Sequence, residues 1–191
     1  MGVHLLLVRQ AATAWTRTGR VEGGTPLPPE PDELEAIRAI VPELETFDPE
    51  GIYAPPVDPG RATGRALRQA MGLPLWFRPE LAPLDTGAWE GLLWDEVRLR
   101  HARALRRWRA DPRVFAPPMG ETTAEVAARL RPLADDLIEG GAGGIVVADA
   151  RVLDTLVREL LPGADPEERL LPDAPDGQAC WTDVEVIVHG D

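Results

Sequence analysis

The sequence predicts an α/β fold: a three-layer sandwich with a mainly parallel central sheet, helices on both faces and a helical insertion. Three observations predict it. Residues 3–8 and 144–148 are continuous apolar runs of strand length with no polar alternation, the pattern of parallel strands buried on both faces. Each run delivers polar residues, Arg9-Gln10 and Asp149, to the carboxyl edge where open α/β sheets collect their ligands. Strand-like and amphipathic helical stretches then alternate along the chain, which implies parallel crossovers.

Taken in order, residues 3–8 form the first strand and the Gly/Pro-rich stretch 19–31 a loop. Asp32 is placed to cap a helix running through about Glu45, with Leu34, Ile37, Ile40, Val41 and Leu44 on one face. Gly51-Ile52-Tyr53-Ala54 is a short strand, and a Pro-rich turn leads to a helix over 61–71 with Ala62, Ala66, Leu67 and Ala70 inward. Residues 91–110, dense in Arg and Trp, and 121–139 are helical and together make an insertion, about 91–139, within one domain spanning 1–191. The run Gly140 to Gly144 precedes a strand and no helix N-terminus follows it, so it reads as a helix-to-strand turn and not as a phosphate cradle. A helix over 151–161 and a strand over 182–188 complete the order.

Composition narrows the function. The 191 residues, 44% apolar and 5% aromatic, suffice for one domain with a sizeable core. Twenty basic against 32 acidic residues give 20 − 32 = −12, a charge that repels nucleic acid and anionic membrane surfaces. An anionic ligand then needs a local basic pocket. A single cysteine, Cys180, forms no internal disulfide and fits a reducing cytoplasm; no apolar run approaches the roughly 20 residues of a membrane span, and the N-terminus lacks the basic flank and cleavage site of a signal peptide. His4, His101 and His189 lie far apart in no ligand spacing and read as structural or surface residues, so no metal or other cofactor is expected.

Residues 4–27, HLLLVRQAATAWTRTGRVEGGTPL, resemble without a gap the opening of the histidine phosphatase (phosphoglycerate-mutase-like) superfamily. There the first strand ends in an Arg-His-Gly triplet. Residues 52–74 resemble the family's second motif, 81–91 its Trp-Glu-Gly segment, Pro117 to Glu121 with Arg129 its Gly-Glu helix start, and 145–154 the strand that carries its second histidine. The resemblance implies a histidine nucleophile that accepts the phosphoryl group, arginines and a second histidine that hold its oxygens, and a carboxylic acid that protonates the leaving group.

Carried over residue by residue, the resemblance meets four substitutions. Gln10 stands at the nucleophile position, and a carboxamide nitrogen, its lone pair delocalised into the carbonyl, cannot take a phosphoryl group as imidazole does. Arg9 before it is kept; the following glycine is Ala11. The ungapped count puts Pro59 at the second phosphate-binding arginine and aligns Thr63 and Gly72-Leu73-Pro74, whereas a two-residue slip would recruit Arg61. Pro83 stands at the proton donor, with Asp85 two residues on either a substitute acid or the cap of a turn. Asp149 replaces the second histidine, and a carboxylate about 4 Å from a phosphate repels it by about 4 kcal/mol per unit charge at an effective dielectric of 20. A buried charge needs a partner, so Asp149 is expected to pair with Arg9.

Nucleophile, clamp, acid and stabiliser change together, while Thr13, Trp15, Gly19-Arg20, Trp89-Glu90-Gly91 and Gly120-Glu121 are kept. The reading is a family member without catalysis that binds a small polar ligand or a protein partner, with Arg9, Gln10, Arg61 and Asp149 as candidate ligand-binding residues. The alternative is a phosphoric-ester hydrolase of altered chemistry, in which Asp149, with Asp85 or Glu90, serves as base or nucleophile. The family admits a homodimer. Arg98, Arg100, Arg103, Arg106, Arg107 and Arg109, with Trp94 and Trp108, form either a contact face or an exposed basic face whose tryptophans turn into the core.

Overall fold

A computed structural model describes residues 2–141, 143–161 and 181–187. Cys180 and His189 lie outside the described residues. The two apolar runs become adjacent central strands, β1 (Gly2–Arg9) and β4 (Gly144–Ala148), paired in parallel from Leu5↔Gly144 to Arg9↔Ala148. With β2 (Ile52–Ala54), β3 (Leu75–Phe77) and β5 (Trp181–Ile187) they form a five-stranded sheet of order β3-β2-β4-β1-β5, in which only β5 runs antiparallel to its neighbour. The α/β class with a mainly parallel sheet is as expected.

A single turn, α1 (Ala14–Arg17), follows β1, and the lack of polar alternation in β1 and β4 follows from helices on both faces of the sheet. Leu5, Leu7, Val146 and Ala148 pack beneath α7 (Thr123–Gly140) and α8 (Ala150–Leu160), against Val126, Leu130, Leu133, Leu153 and Leu156. Leu6, Val8, Ile145 and Val147 face α2 (Pro31–Ala39), α3 (Val41–Leu44) and α4 (Gly60–Met71) through Ile37, Leu44 and Leu67. A smaller cluster of Val21, Trp89, Val97 and Leu105 sits under α5 (Trp94–Arg100) and α6 (Ala102–Ala110). The helices of 91–139 thus divide: α5 and α6 stand over their own cluster, whereas α7 belongs to a layer of the sandwich.

Local chemistry moves several boundaries. The helix expected over 32–45 starts at Pro31, whose missing N–H costs nothing at the first helical position, and Glu30 rather than Asp32 precedes it; Asp32 pairs instead with Arg17. Pro42 cannot donate to the Arg38 carbonyl, and the helix divides into α2 and α3. In α4 the buried side is Gly60, Thr63, Gly64, Ala66 and Leu67, while Ala70 is exposed. Helix α7 opens at a capping box of Thr122 and Glu125 and ends at Gly141 with φ +62°, the left-handed turn expected of the glycine run. Strand β3 was not foreseen; its apolar run, Leu75-Trp76-Phe77, has only three residues, two of them exposed, and is too short to mark a strand by itself. No helix among the described residues is long and apolar enough to cross a membrane.

Leu156 of α8 is fully buried and Leu99 of α5 is 83% exposed. Leu156→Ala is expected to lower stability by about 2–5 kcal/mol and Leu99→Ala by less than about 0.5 kcal/mol, read as midpoints of urea unfolding followed by circular dichroism.

Candidate functional site

The β1–β4 ladder continues one rung past the strands: the Gln10 N–H donates to the Ala148 carbonyl at 2.9 Å, which sets Gln10 beside Asp149. The next residue is tied to α4. The Ala11 N–H donates to the buried Thr63 hydroxyl at 2.9 Å, and that hydroxyl donates to the Pro59 carbonyl at 3.0 Å. Pro59 is buried immediately before α4. A Cβ placed on Gly60 would lie 2.2 Å from Pro55 Cγ and 2.9 Å from Gln10 Oε1, so the close approach of α4 to the end of β1 requires glycine there.

These strand ends form the floor of a cavity of about 320 Å³. Arg9, Gln10 and Asp149 line it from the sheet edge, Pro83 and Leu84 from one wall, Thr16, Arg20 and Glu22 from the segment after β1, Trp94 from α5, and Arg151 and Asp154 from α8. Three arginines, Arg9, Arg20 and Arg151, therefore share it with three carboxylates, Glu22, Asp149 and Asp154. Three of the four positions that the resemblance singles out, Gln10, Pro83 and Asp149, meet in this one space.

Asp149 is the N-cap of α8. Its Oδ1 accepts the N–H groups of Arg151 and Val152 at 2.8 and 3.0 Å, and its Oδ2 accepts the Leu84 N–H at 3.3 Å. The expected ion pair with Arg9 does not form. The carboxylate answers the unpaired donors and positive dipole end of α8 instead, which takes its charge into the helix start. The Arg9 guanidinium makes no ion pair or hydrogen bond among the described residues. Gln10 Oε1 is likewise buried without a partner.

Arg20, Glu22 and Arg151 are anchored. Arg20 donates to the Gly91 carbonyl at 2.7 Å, and Glu22 Oε1 accepts the Thr13 and Thr16 hydroxyls at 2.6 and 2.8 Å. Arg151 lies over the rings of Trp94 and Trp108, 5.8 and 5.4 Å from their centroids. Arg129 grips Glu121 at 3.0 Å and the carbonyls of Glu80 and Ala82, and so fixes the segment that presents Pro83 and Leu84.

Other candidates fall elsewhere. Arg61 is not among the cavity-lining residues; it makes two bonds to Asp58, at 3.1 and 2.7 Å, and that carboxylate holds its guanidinium above the ordinary arginine range. Asp85 is exposed and accepts the Gly87 N–H at 2.8 Å, the turn-capping alternative of the sequence reading. Glu90 accepts the Thr25 N–H. Trp94 and Trp108 turn into the small cluster, and Arg103, Arg106, Arg107 and Arg109 are exposed around it.

Sequence reasoning did not place Glu22, Arg151 or Asp154 in the site. A usable signal existed for the last two. Residues two and five positions after Asp149 lie in the first turns of the helix that leaves the sheet edge, and the first turn of such a helix borders the crevice. Glu22 reaches the cavity through hydroxyl bonds within an irregular segment, for which no periodicity exists.

Comparison with known proteins gives the family and the fold. The model of the histidine phosphatase superfamily (branch 1) matches residues 5–188. Phosphoserine phosphatase 1 of Hydrogenobacter thermophilus is 28% identical over 131 residues, 68% of this chain and 61% of that protein. A bifunctional protein of Mycobacterium tuberculosis is 31% identical over 109 residues, 56% of this chain and 30% of that protein. The chain thus spans less than two thirds of the length of these curated relatives. Among solved structures, a mycobacterial glucosyl-3-phosphoglycerate phosphatase superposes with a TM-score of 0.82 at 24% identity, covering 95% of this chain and 92% of the other. The α-ribazole phosphatase of Shigella flexneri gives 0.76 at 20% identity, covering 94% and 95%. Both likenesses are of fold.

If the cap is what Asp149 contributes to folding, Asp149→Ala should cost about 1 kcal/mol (0.5–2) and Asp149→Asn, an equally good cap, close to nothing. Urea unfolding of the two variants beside the parent protein measures the difference.

Proposed function

Because the chain belongs to the histidine phosphatase superfamily (branch 1), we propose that it is a member without phosphoryl-transfer activity, which keeps the cavity at the β1–β4 edge as a binding site for a small polar ligand. The observation that carries this reading is the pair Gln10 and Asp149, set side by side on the cavity floor at the positions that the family resemblance gives to its two histidines. A carboxamide at the first offers no nucleophilic lone pair, and a carboxylate at the second opposes negative charge on a bound phosphoryl group. Pro83, at the position of the proton donor, lines the same cavity and carries no acid. Arg9, unpartnered among the described residues, and the buried, unbonded Gln10 Oε1 beside it support retained binding.

The second reading, a hydrolase with Asp149 as nucleophile or base, draws on the place of Asp149 in the cavity wall. Against it, Oδ1 accepts two backbone donors and Oδ2 a third, so the carboxylate is held by the start of α8 and by the Leu84 segment. Asp85 and Glu90, its proposed helpers, are bonded outside the cavity lining.

Hydrolysis of an aryl phosphate and a panel of phosphorylated metabolites, from about pH 4 to 9 and beside Asp149→Ala, tests both. No turnover above background is expected from either protein. A rate that Asp149→Ala abolishes would establish the hydrolase with Asp149 at its centre.

A further inference from the structure

We propose that the cavity selects a small zwitterion, a molecule with one carboxylate and one ammonium group, over a phosphorylated ligand. The inference rests on the binding reading above and names the ligand class. Arg9 and Asp149 stand at the adjacent ends of β1 and β4, and both line the cavity, yet they do not come within ion-pair distance of one another. Asp149 holds the first turn of α8 through Oδ1, but its Oδ2 has only the long 3.3 Å bond from Leu84, which leaves acceptor capacity. Arg9 holds nothing among the described residues, and its planar fork suits a carboxylate bidentately. A ligand whose carboxylate meets Arg9 and whose ammonium meets Asp149 completes both.

The rest of the cavity favours zero net ligand charge. Its three arginines are matched by three carboxylates, and Glu22 takes both of its hydroxyl bonds through Oε1, so Oε2 is left unbonded among the described residues. A phosphate dianion would need an excess of cations or free backbone donors. The start of α8, the nearest set of such donors, is already occupied by Asp149, and Pro59 ahead of α4 has no N–H. A cavity of about 320 Å³ is at the lower end of small-molecule sites and accommodates an amino-acid-sized ligand.

Calorimetry and ligand-observed NMR on the full chain test this with glycine, β-alanine and L-serine as zwitterions, acetate as carboxylate alone, methylammonium as cation alone, and inorganic phosphate. At least one zwitterion is expected to bind on the order of ten-fold more tightly than acetate, methylammonium or phosphate. Asp149→Asn, which keeps a capping side chain, is expected to weaken the zwitterion by roughly ten-fold and to strengthen phosphate; Arg9→Met is expected to weaken both zwitterion and acetate. Phosphate binding above every zwitterion, no zwitterion binding, or zwitterion affinity indifferent to Asp149→Asn would overturn the proposal. Phosphate binding without turnover would leave the non-catalytic reading intact, whereas phosphate-ester turnover would remove that reading itself.

Discussion

The bond from the Gln10 N–H to the Ala148 carbonyl prolongs the β1–β4 ladder by one rung, and the whole site depends on it. A parallel pair that stopped at Arg9 and Ala148 would leave the two following residues free to diverge. With the extra rung, Gln10 and Asp149 are fixed as neighbours, and the chain turns away only after Ala11 has been caught by Thr63. Thr63 in turn grips the carbonyl of Pro59, so the end of β1 and the entry to α4 form one unit. These bonds are buried, and leaving any of their donors unsatisfied would cost about 1–3 kcal/mol. The cavity floor is therefore set by backbone groups and one buried hydroxyl, largely independent of the side chains that face the ligand.

On that floor the chemistry turns on what Asp149 is bonded to. In isolation, a carboxylate beside an arginine at a sheet edge suggests an ion pair. The start of α8 supplies a competing set of donors whose geometry is fixed by the helix, and an N-cap contributes about 1 kcal/mol without ordering a long side chain. Arg9 is in register with Ala148, not Asp149, so alternation along the ladder starts the two side chains on opposite faces of the sheet. The helix wins, and Arg9 stays unengaged among the described residues.

What could be read from the sequence follows from these differences in range. Residues 3–8 and 144–148 announce buried parallel strands because burial on both faces acts residue by residue, and the resemblance to the family put Gln10, Pro83 and Asp149 in one site, where all three line the cavity. The Arg9–Asp149 pair was misjudged because charge complementarity in a sequence says nothing of rival donors such as the N–H groups of Arg151 and Val152. Arg61 looked available as a second anion clamp, yet Asp58 lies one helical turn before it and takes the guanidinium locally. Strand β3 was invisible because its apolar run, Leu75-Trp76-Phe77 at a partly exposed edge, is too short to mark a strand. Glu22 enters the site only once the course of its irregular segment is known.

On the proposed reading, the altered positions have been put to use by the fold, not merely vacated. Asp149 now caps α8, and Pro59 precedes α4 where a missing N–H removes a donor that a helix start leaves unpaired in any case. Active sites carry strain and unpaired groups at a cost in stability, and a chain released from that demand gains by satisfying them locally. Gln10 and Arg9 do not fit the pattern: the Gln10 carbonyl oxygen is buried without a partner, and the arginine beside it is unengaged among the described residues. Had stability alone shaped the pocket, these two should have been the easiest to replace by apolar residues, since a buried unsatisfied oxygen is among the costlier features a core can carry. Their presence beside an Asp149 whose Oδ1 alone is fully used locates the remaining demand of function at the end of β1, where a bound group with its own donors and acceptors would complete both.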